Sequence, residues 1–388
     1  MKLAQSSKLR IIVLGYIVRR PLGGGVFPTL QYALGLKQLG HEVWFFEDSE
    51  DFPCCYDPVR WVTDVDPTYG LRYAEDVLGK AGLGDRWTYY DAHTDQWLGP
   101  CASDALSICE SADLVIAASG RLRPWTMQVP HRAYVDKDPL FAQVRHIQDV
   151  ERRAVTAQYT SLFTYGMNIG EGGSQVPEDG FTWHGLSQPI VLDLWPATLP
   201  GSVEPGRFTT IMQWDAYDPV EFDGHTYGMK SASFSDYETL PSRIDAGLEM
   251  AVGGGVPKAR LRELGWGIVD PLEVTKTPES YQDYIRGSLG EFTVAKHGYV
   301  LSRTGWFSER SMQYLASGRP VITQETGFSD WLPTGEGLLS FSDLDGAVGA
   351  IEDVLDRYDA HCRAARELAE EYFESGKVLR RMLALVDS

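Results

Sequence analysis

The stretch from 305 to 322, GWFSERSMQYLASGRPVI, constrains this chain more than any other. It reads as a loop, a short capped helix and a fully apolar strand. Ser308 suits the cap, Glu309 the positive end of the helix, and Gly318 with Pro320 the stop. Strands that alternate with helices and carry no polar face belong to a parallel sheet covered on both sides. A helix that begins just after a strand and loop also points unpaired N–H groups at open space, which suits a phosphate.

The same alternation fills the first half of the chain. Strands are expected over 11–16, 42–47, 113–118, 131–135 and 159–165. The run Gly23-Gly24-Gly25 reads as a loop, with Pro28 in the first turn of the helix that follows and Gly40 at its end. These elements predict a Rossmann-like domain over 1–195. Residues 196–207 have the composition of an interdomain linker. A fresh strand near Phe208 opens a second α/β domain over 208–363, with strands expected at 298–301 and 321–324, and 364–388 reads as a helical tail. A chain of 388 residues suits two such domains.

A net charge of −19 opposes nonspecific attraction to nucleic acid or anionic lipid, while leaving room for a local basic cleft. The apolar run over 11–18 is too short to span a bilayer, so a cytoplasmic location is expected. Five cysteines form no CxxC pair, which predicts reduced thiols. Asp136-Lys137-Asp138 has the Asp-x-Asp pattern of metal sites, but so do Asp64-Val65-Asp66 and Asp343-Leu344-Asp345. A pattern this common predicts no metal.

Laid on the donor signature of the GT-B glycosyltransferases, Phe307, Ala316, Ser317, Gly318, Pro320 and Val321 match. That signature runs Glu-Pro-Phe-Gly, four residues, then Glu-Ala-Met-Ala-Cys/Ser-Gly-x-Pro-Val. Gly305 and Gln313 stand where its two glutamates would be. The chain resembles this family along the opening strand, glycine run and helix, over 163–196, and over nearly everything from 208 onward. The resemblance implies two Rossmann-like domains facing across a cleft, with a C-terminal helix returning to the first. It also implies a nucleotide-sugar co-substrate in the second domain, an acceptor in the first, and no metal or other cofactor.

On that basis Phe307, Ser308, Arg310, Ser311 and Gln313 are the donor-binding candidates. Lys230 and Lys296 are expected to neutralise the departing diphosphate, and Asp136, at a strand end, to act as general base or acceptor ligand. Gly24, Gly25, Arg19, Arg121 and Arg123, together with Arg20, are the acceptor-side candidates, because loops after parallel strands gather along one sheet edge. Converging arginines predict an anionic acceptor: a phosphorylated metabolite, a lipid phosphate or, against the net charge, a modified nucleic-acid base. The competing reading is that these arginines bind the donor or pair with surface carboxylates. With both signature glutamates gone, stereochemistry stays open. So do an epimerase or hydrolase of nucleotide-sugars and a non-catalytic sugar-binding module. A nicotinamide enzyme using Glu47 fits less well, since Arg19 to Leu22 separates the strand from the glycines.

Overall fold

Strands without polar alternation need neighbours on both sides, and the first half of the chain supplies them in sequence order. The structure, a computed structural model, describes residues 8–170, 172–197 and 206–386; most of the expected linker, 198–205, lies outside them. Its strands are β1 (Arg10–Leu14), β2 (Glu42–Asp48), the short hairpin β3 (Cys55–Asp57) and β4 (Val62–Asp64), β5 (Trp87–Asp91), β6 (Gln96–Leu98), β7 (Leu114–Ala117), β8 (His131–Asp136), β9 (Ser161–Thr164) and β10 (Trp183–Gly185). All but the hairpin join one eight-stranded sheet in the order β10-β9-β8-β7-β1-β2-β5-β6, parallel except for β6. Strand order reverses between β1 and β7.

The second half repeats the design. Strands β11 (Arg207–Gln213), β14 (Gly247–Gly253), β15 (Gly267–Val269), β16 (Gly290–Thr293), β17 (Val321–Gln324) and β18 (Leu338–Phe341) pair in the order β15-β14-β11-β16-β17-β18, all parallel. A hairpin of β12 (Val220–Phe222) and β13 (His225–Tyr227) stands apart from it. Here the order reverses between β11 and β16. In open α/β sheets, ligands bind beyond the carboxyl ends of the strands at such reversals.

The chain then returns to its start. Helix Tyr358–Leu368 runs through a π-helical turn, Ala369–Phe373, into helix Ser375–Val386. Val378, Leu379, Met382 and Val386 join the core around β1. Gly35 of helix Gly23–Gln38 permits that approach, since a Cβ there would lie 2.6 Å from Leu379 Cδ1. Two parallel α/β sheets with a C-terminal helix packed on the first are the architecture the resemblance implied.

Two local expectations are corrected. Gly23, Gly24 and Gly25 form no loop; they open helix Gly23–Gln38, which puts Pro28 inside the helix rather than in its first turn. Their lack of side chains serves contact with the second half. A Cβ on Gly23 would sit 2.1 Å from the Thr277 carbonyl oxygen, and one on Gly24 3.1 Å from the Tyr281 ring. Residues 298–301, read as a strand, belong to helix His297–Leu301, because a short apolar run does not by itself tell strand from helix.

Candidate functional site

The carboxyl ends of β11 and β14, with Lys296 just beyond β16, open into a cleft of about 1010 Å³ between the two halves. One wall carries Arg19, Arg20, Gly24, Gly25, Phe52, Tyr56, Trp61 and Lys137; the other carries Trp214, Lys230, Tyr281, Lys296, Ser308, Glu309 and Arg310. The cleft thus brings together Arg19, Gly24, Gly25, Lys230, Lys296, Ser308 and Arg310 from the sequence candidates.

Helix Glu309–Ala316 starts at this cleft, its N-terminus capped by the Ser308 hydroxyl, which accepts from the Arg310 N–H at 3.3 Å. Arg310 lies across the strand reversal itself. Its guanidinium donates to the Glu291 carboxylate, to the Ile211 carbonyl of β11 and, at 3.0 Å, to Thr293 Oγ1 of β16. Glu291 is fully buried. Arg310 is therefore a positive floor to the crevice, neutralised in part from below.

Lys230 opens helix Lys230–Phe234 beside this floor and is only 9 % exposed. Among the described residues its ammonium has no hydrogen-bond or ion-pair partner. Burial pulls its pKa well below the ordinary lysine range, Arg310 and Lys296 push the same way, and Glu291 opposes them. A buried, unpaired cation is costly unless something else completes it.

Lys296 has a partner, and the partner comes from the other half. Its Nζ donates to Asp138 Oδ1 at 2.6 Å and lies 2.9 Å from the Tyr217 hydroxyl. Asp138 also accepts from the hydroxyls of Tyr299 and Tyr217 and lies 3.5 Å from Arg145. The carboxylate just after β8 thus ties the two halves together. Sequence reasoning put a general base or acceptor ligand at Asp136, but that side chain does not face the cleft. Asp136 is 1 % exposed and points inward, accepting from the Asp138 N–H (2.8 Å), Thr164 (2.9 Å) and Gln143 (3.2 Å). Burial pushes its pKa up to about 6. Asp136 closes the turn that presents Asp138.

Phe307, Ser311 and Gln313 also lie behind the cleft surface. Phe307 packs on Phe328 and stacks on Phe373 in the core. Gln313, 1 % exposed, accepts from the Tyr281 hydroxyl at 2.7 Å, so Tyr281 presents this position to the cleft. Ser311 is fully buried and its hydroxyl finds no partner among the described residues.

The first-half arginines are mostly spoken for. Arg19 donates to Glu50 at 2.8 Å and to Cys54 Sγ at 2.9 Å, with Tyr16 beneath its guanidinium. Arg123 bonds Asp51 (2.9 Å) and Asp48 (3.1 Å), and Arg121 also pairs with Asp51. Arg121 and Arg123 line a separate cavity of about 20 Å³ over the β1–β7 reversal, not the cleft. That is room for little more than a water. Convergence of four arginines on an acceptor is corrected accordingly; only the exposed Arg20 reaches the cleft without a side-chain partner among the described residues. Glu47 is likewise committed, accepting from the N–H groups of Ile17, Val18 and Arg19 at 2.6, 2.8 and 2.7 Å, which removes it as a ribose ligand.

Sequence reading missed the β3–β4 hairpin. Its tip residue Trp61 is 66 % exposed with φ of +58°, and Phe52 beside it is 51 % exposed. Both line the cleft.

Comparison with known proteins gives a likeness in fold across the whole length. An α-glucosyltransferase in complex with UDP-glucose and DNA containing an abasic site superposes with a TM-score of 0.58 at 11 % identity, covering 98 % of this chain and 100 % of that one. HepE of Anabaena, in complex with UDP and glucose, gives 0.54 at 10 % identity, covering 97 % and 98 %. A glycosyltransferase from Rickettsia africae gives 0.53 at 13 % identity, covering 98 % of each chain. The fold is GT-B. No protein-family model matches the sequence, and no curated protein sequence does.

Proposed function

We propose that this protein is a glycosyltransferase that takes a sugar from a nucleotide-sugar bound on the second domain and passes it to an acceptor held against the first. The observation that carries this reading is Lys230: a buried cation without a partner among the described residues, beside Arg310 and the N-terminus of helix Glu309–Ala316, at a strand reversal. Two cations and a helix N-terminus suit a diphosphate. They also suit its departure, since charge gathers on the leaving oxygens as the glycosidic bond breaks. The solved proteins of like fold that contain UDP, or UDP and glucose, support the choice of ligand.

Tyr281, held by Gln313, stands at the donor side of the cleft. The Asp138–Lys296 pair holds the halves closed around the reacting sugar and keeps water from it. On the acceptor side we place the rim of Arg20, Phe52, Tyr56 and Trp61. The net charge and the pairing of Arg121 and Arg123 with Asp48 and Asp51 disfavour a polyanionic acceptor such as DNA. Charge neutralisation by Lys230 and Arg310 replaces that of a divalent ion.

The test is incubation with a panel of nucleotide-sugars in EDTA, following free nucleotide and sugar-bearing products with and without candidate acceptors. Acceptor-dependent release of nucleoside diphosphate is expected. Binding of no nucleotide-sugar would refute the reading; an epimerised donor, or release that no acceptor accelerates, would reassign the reaction.

A further inference from the structure

Helix Glu309–Ala316 contains a single carboxylate, Glu309, at its first position. A glutamate there needs no function beyond favouring the positive helix end. This one, however, lines the cleft, and among the described residues its carboxylate accepts no hydrogen bond and forms no ion pair. Its Oε2 is buried with no partner among the described residues. The neighbouring residue, Arg310, turns down onto the strand ends, whereas Glu309 lines the cleft near Tyr281 of its own wall and within electrostatic reach of the first half. Its charge is felt there by Lys137, Tyr32 and Tyr165, and it opposes the fall that burial imposes on the Lys137 pKa. Glu309 therefore stands between the cations of the second domain and the wall of the first.

A carboxylate in that place is an acceptor only, so it calls for donors from the ligand. A nucleotide-sugar whose diphosphate rests on Lys230 and Arg310 has no N–H or O–H on its phosphates at neutral pH. The donors it brings between phosphate and acceptor are the hydroxyls of the sugar. We propose that Glu309 binds hydroxyl groups of the transferred sugar and so determines which nucleotide-sugar is used. The inference rests on the donor reading given above and adds to it the contact that separates a nucleotide-sugar from the bare nucleotide.

The experiment is titration calorimetry of wild type, Glu309→Ala, Glu309→Asp and Glu309→Gln with UDP and UDP-glucose, repeated with the GDP and ADP pairs. The quantity read is the ratio of nucleotide-sugar to nucleotide affinity for the base that wild type binds best. Loss of a charge-assisted hydrogen bond is expected to lower that ratio roughly tenfold to a hundredfold in Glu309→Ala. Glu309→Asp keeps a charge at the helix end but loses reach, and should behave like Ala; Glu309→Gln keeps an acceptor oxygen and should lie between. Bare nucleotide affinity should hold or rise in all three, which also shows that they fold. An unchanged ratio in Glu309→Ala, or a wild type that binds UDP and UDP-glucose equally for every base, overturns this inference while leaving the donor reading standing. Binding of no nucleoside diphosphate by wild type would remove both.

Discussion

Replacing Lys230 with methionine should make the ligand-free protein more stable and its nucleotide binding much weaker. The residue is nine-tenths buried, its ammonium lacks a partner among the described residues, and it lies near two other cations. Methionine of similar length removes that burden without opening a cavity. Exchange of a buried charge for a packed apolar chain is often stabilising by about 1–4 kcal/mol, and Lys230 has less pairing to lose than most. The same change deletes a charge-assisted bond to the diphosphate, about 1.5–3 kcal/mol, or roughly ten- to a hundredfold in affinity. Protonation separates the two effects by sign. In the free protein the lysine pKa is lowered, so between that value and the ordinary lysine value the unfolded chain binds the extra proton. Stability from this group therefore grows as pH rises through that window. A bound diphosphate favours the ammonium, so binding takes up a proton there and affinity falls as pH rises. Thermal melts and calorimetry across pH, on wild type and Lys230→Met, read both slopes. A variant that is less stable than wild type yet binds nucleoside diphosphate with equal affinity would refute the argument; Lys230 would then be a structural partner of Glu291.

Arg310→Ala should cost stability as well as binding, because it strands the fully buried Glu291; about 3–5 kcal/mol is expected in denaturant unfolding of the second domain, partly restored by adding Glu291→Gln. Asp138→Asn should loosen the closed cleft, seen as a larger radius of gyration in solution scattering and a raised donor KM, since the half-buried Lys296 loses its carboxylate across the cleft. Trp61→Ala should raise the acceptor KM about tenfold, the scale of one lost ring-stacking contact, with donor affinity and melting temperature unchanged because the side chain is exposed.

Much of the fold was legible because it is written in local patterns. Apolar strands, the Ser308 cap, the Gly318 stop and the length of the tail each act within a few residues, and the two sheets follow from them. What escaped depends on partners far away in sequence. Gly23 to Gly25 looked like a loop because glycine disfavours helix, yet the residue that demands glycine is Thr277, more than 250 positions on. Arg121 and Arg123 looked available because Asp48 and Asp51 sit some 70 residues earlier. The Asp136 misplacement differs in kind. A strand end was correctly located, and in a continued strand Asp136 and Asp138 would share a face, but β8 ends at Asp136 and the turn after it sends the two side chains apart.

The two halves of the molecule share a topology and so share a crevice at each strand reversal, yet the two crevices have opposite fates. Over β1 and β7, Arg123 meets Asp48 and Asp51, and Trp97 and Trp125 pack edge to face beside them, leaving about 20 Å³. Every charge there is answered from within. Over β11 and β16 the cleft stays open, Arg310 and Lys230 share the single carboxylate of Glu291, and among the described residues the Lys230 ammonium has no hydrogen-bond or ion-pair partner. A fold that buries a cation without a hydrogen-bond or ion-pair partner gives up stability at that place, and among the described residues the β1–β7 reversal has no such group. The asymmetry supports the proposal made above: a charged ligand suits the open reversal of the second domain, whereas the reversal of the first is already filled and leaves Trp61 and the cleft edge as its accessible surface.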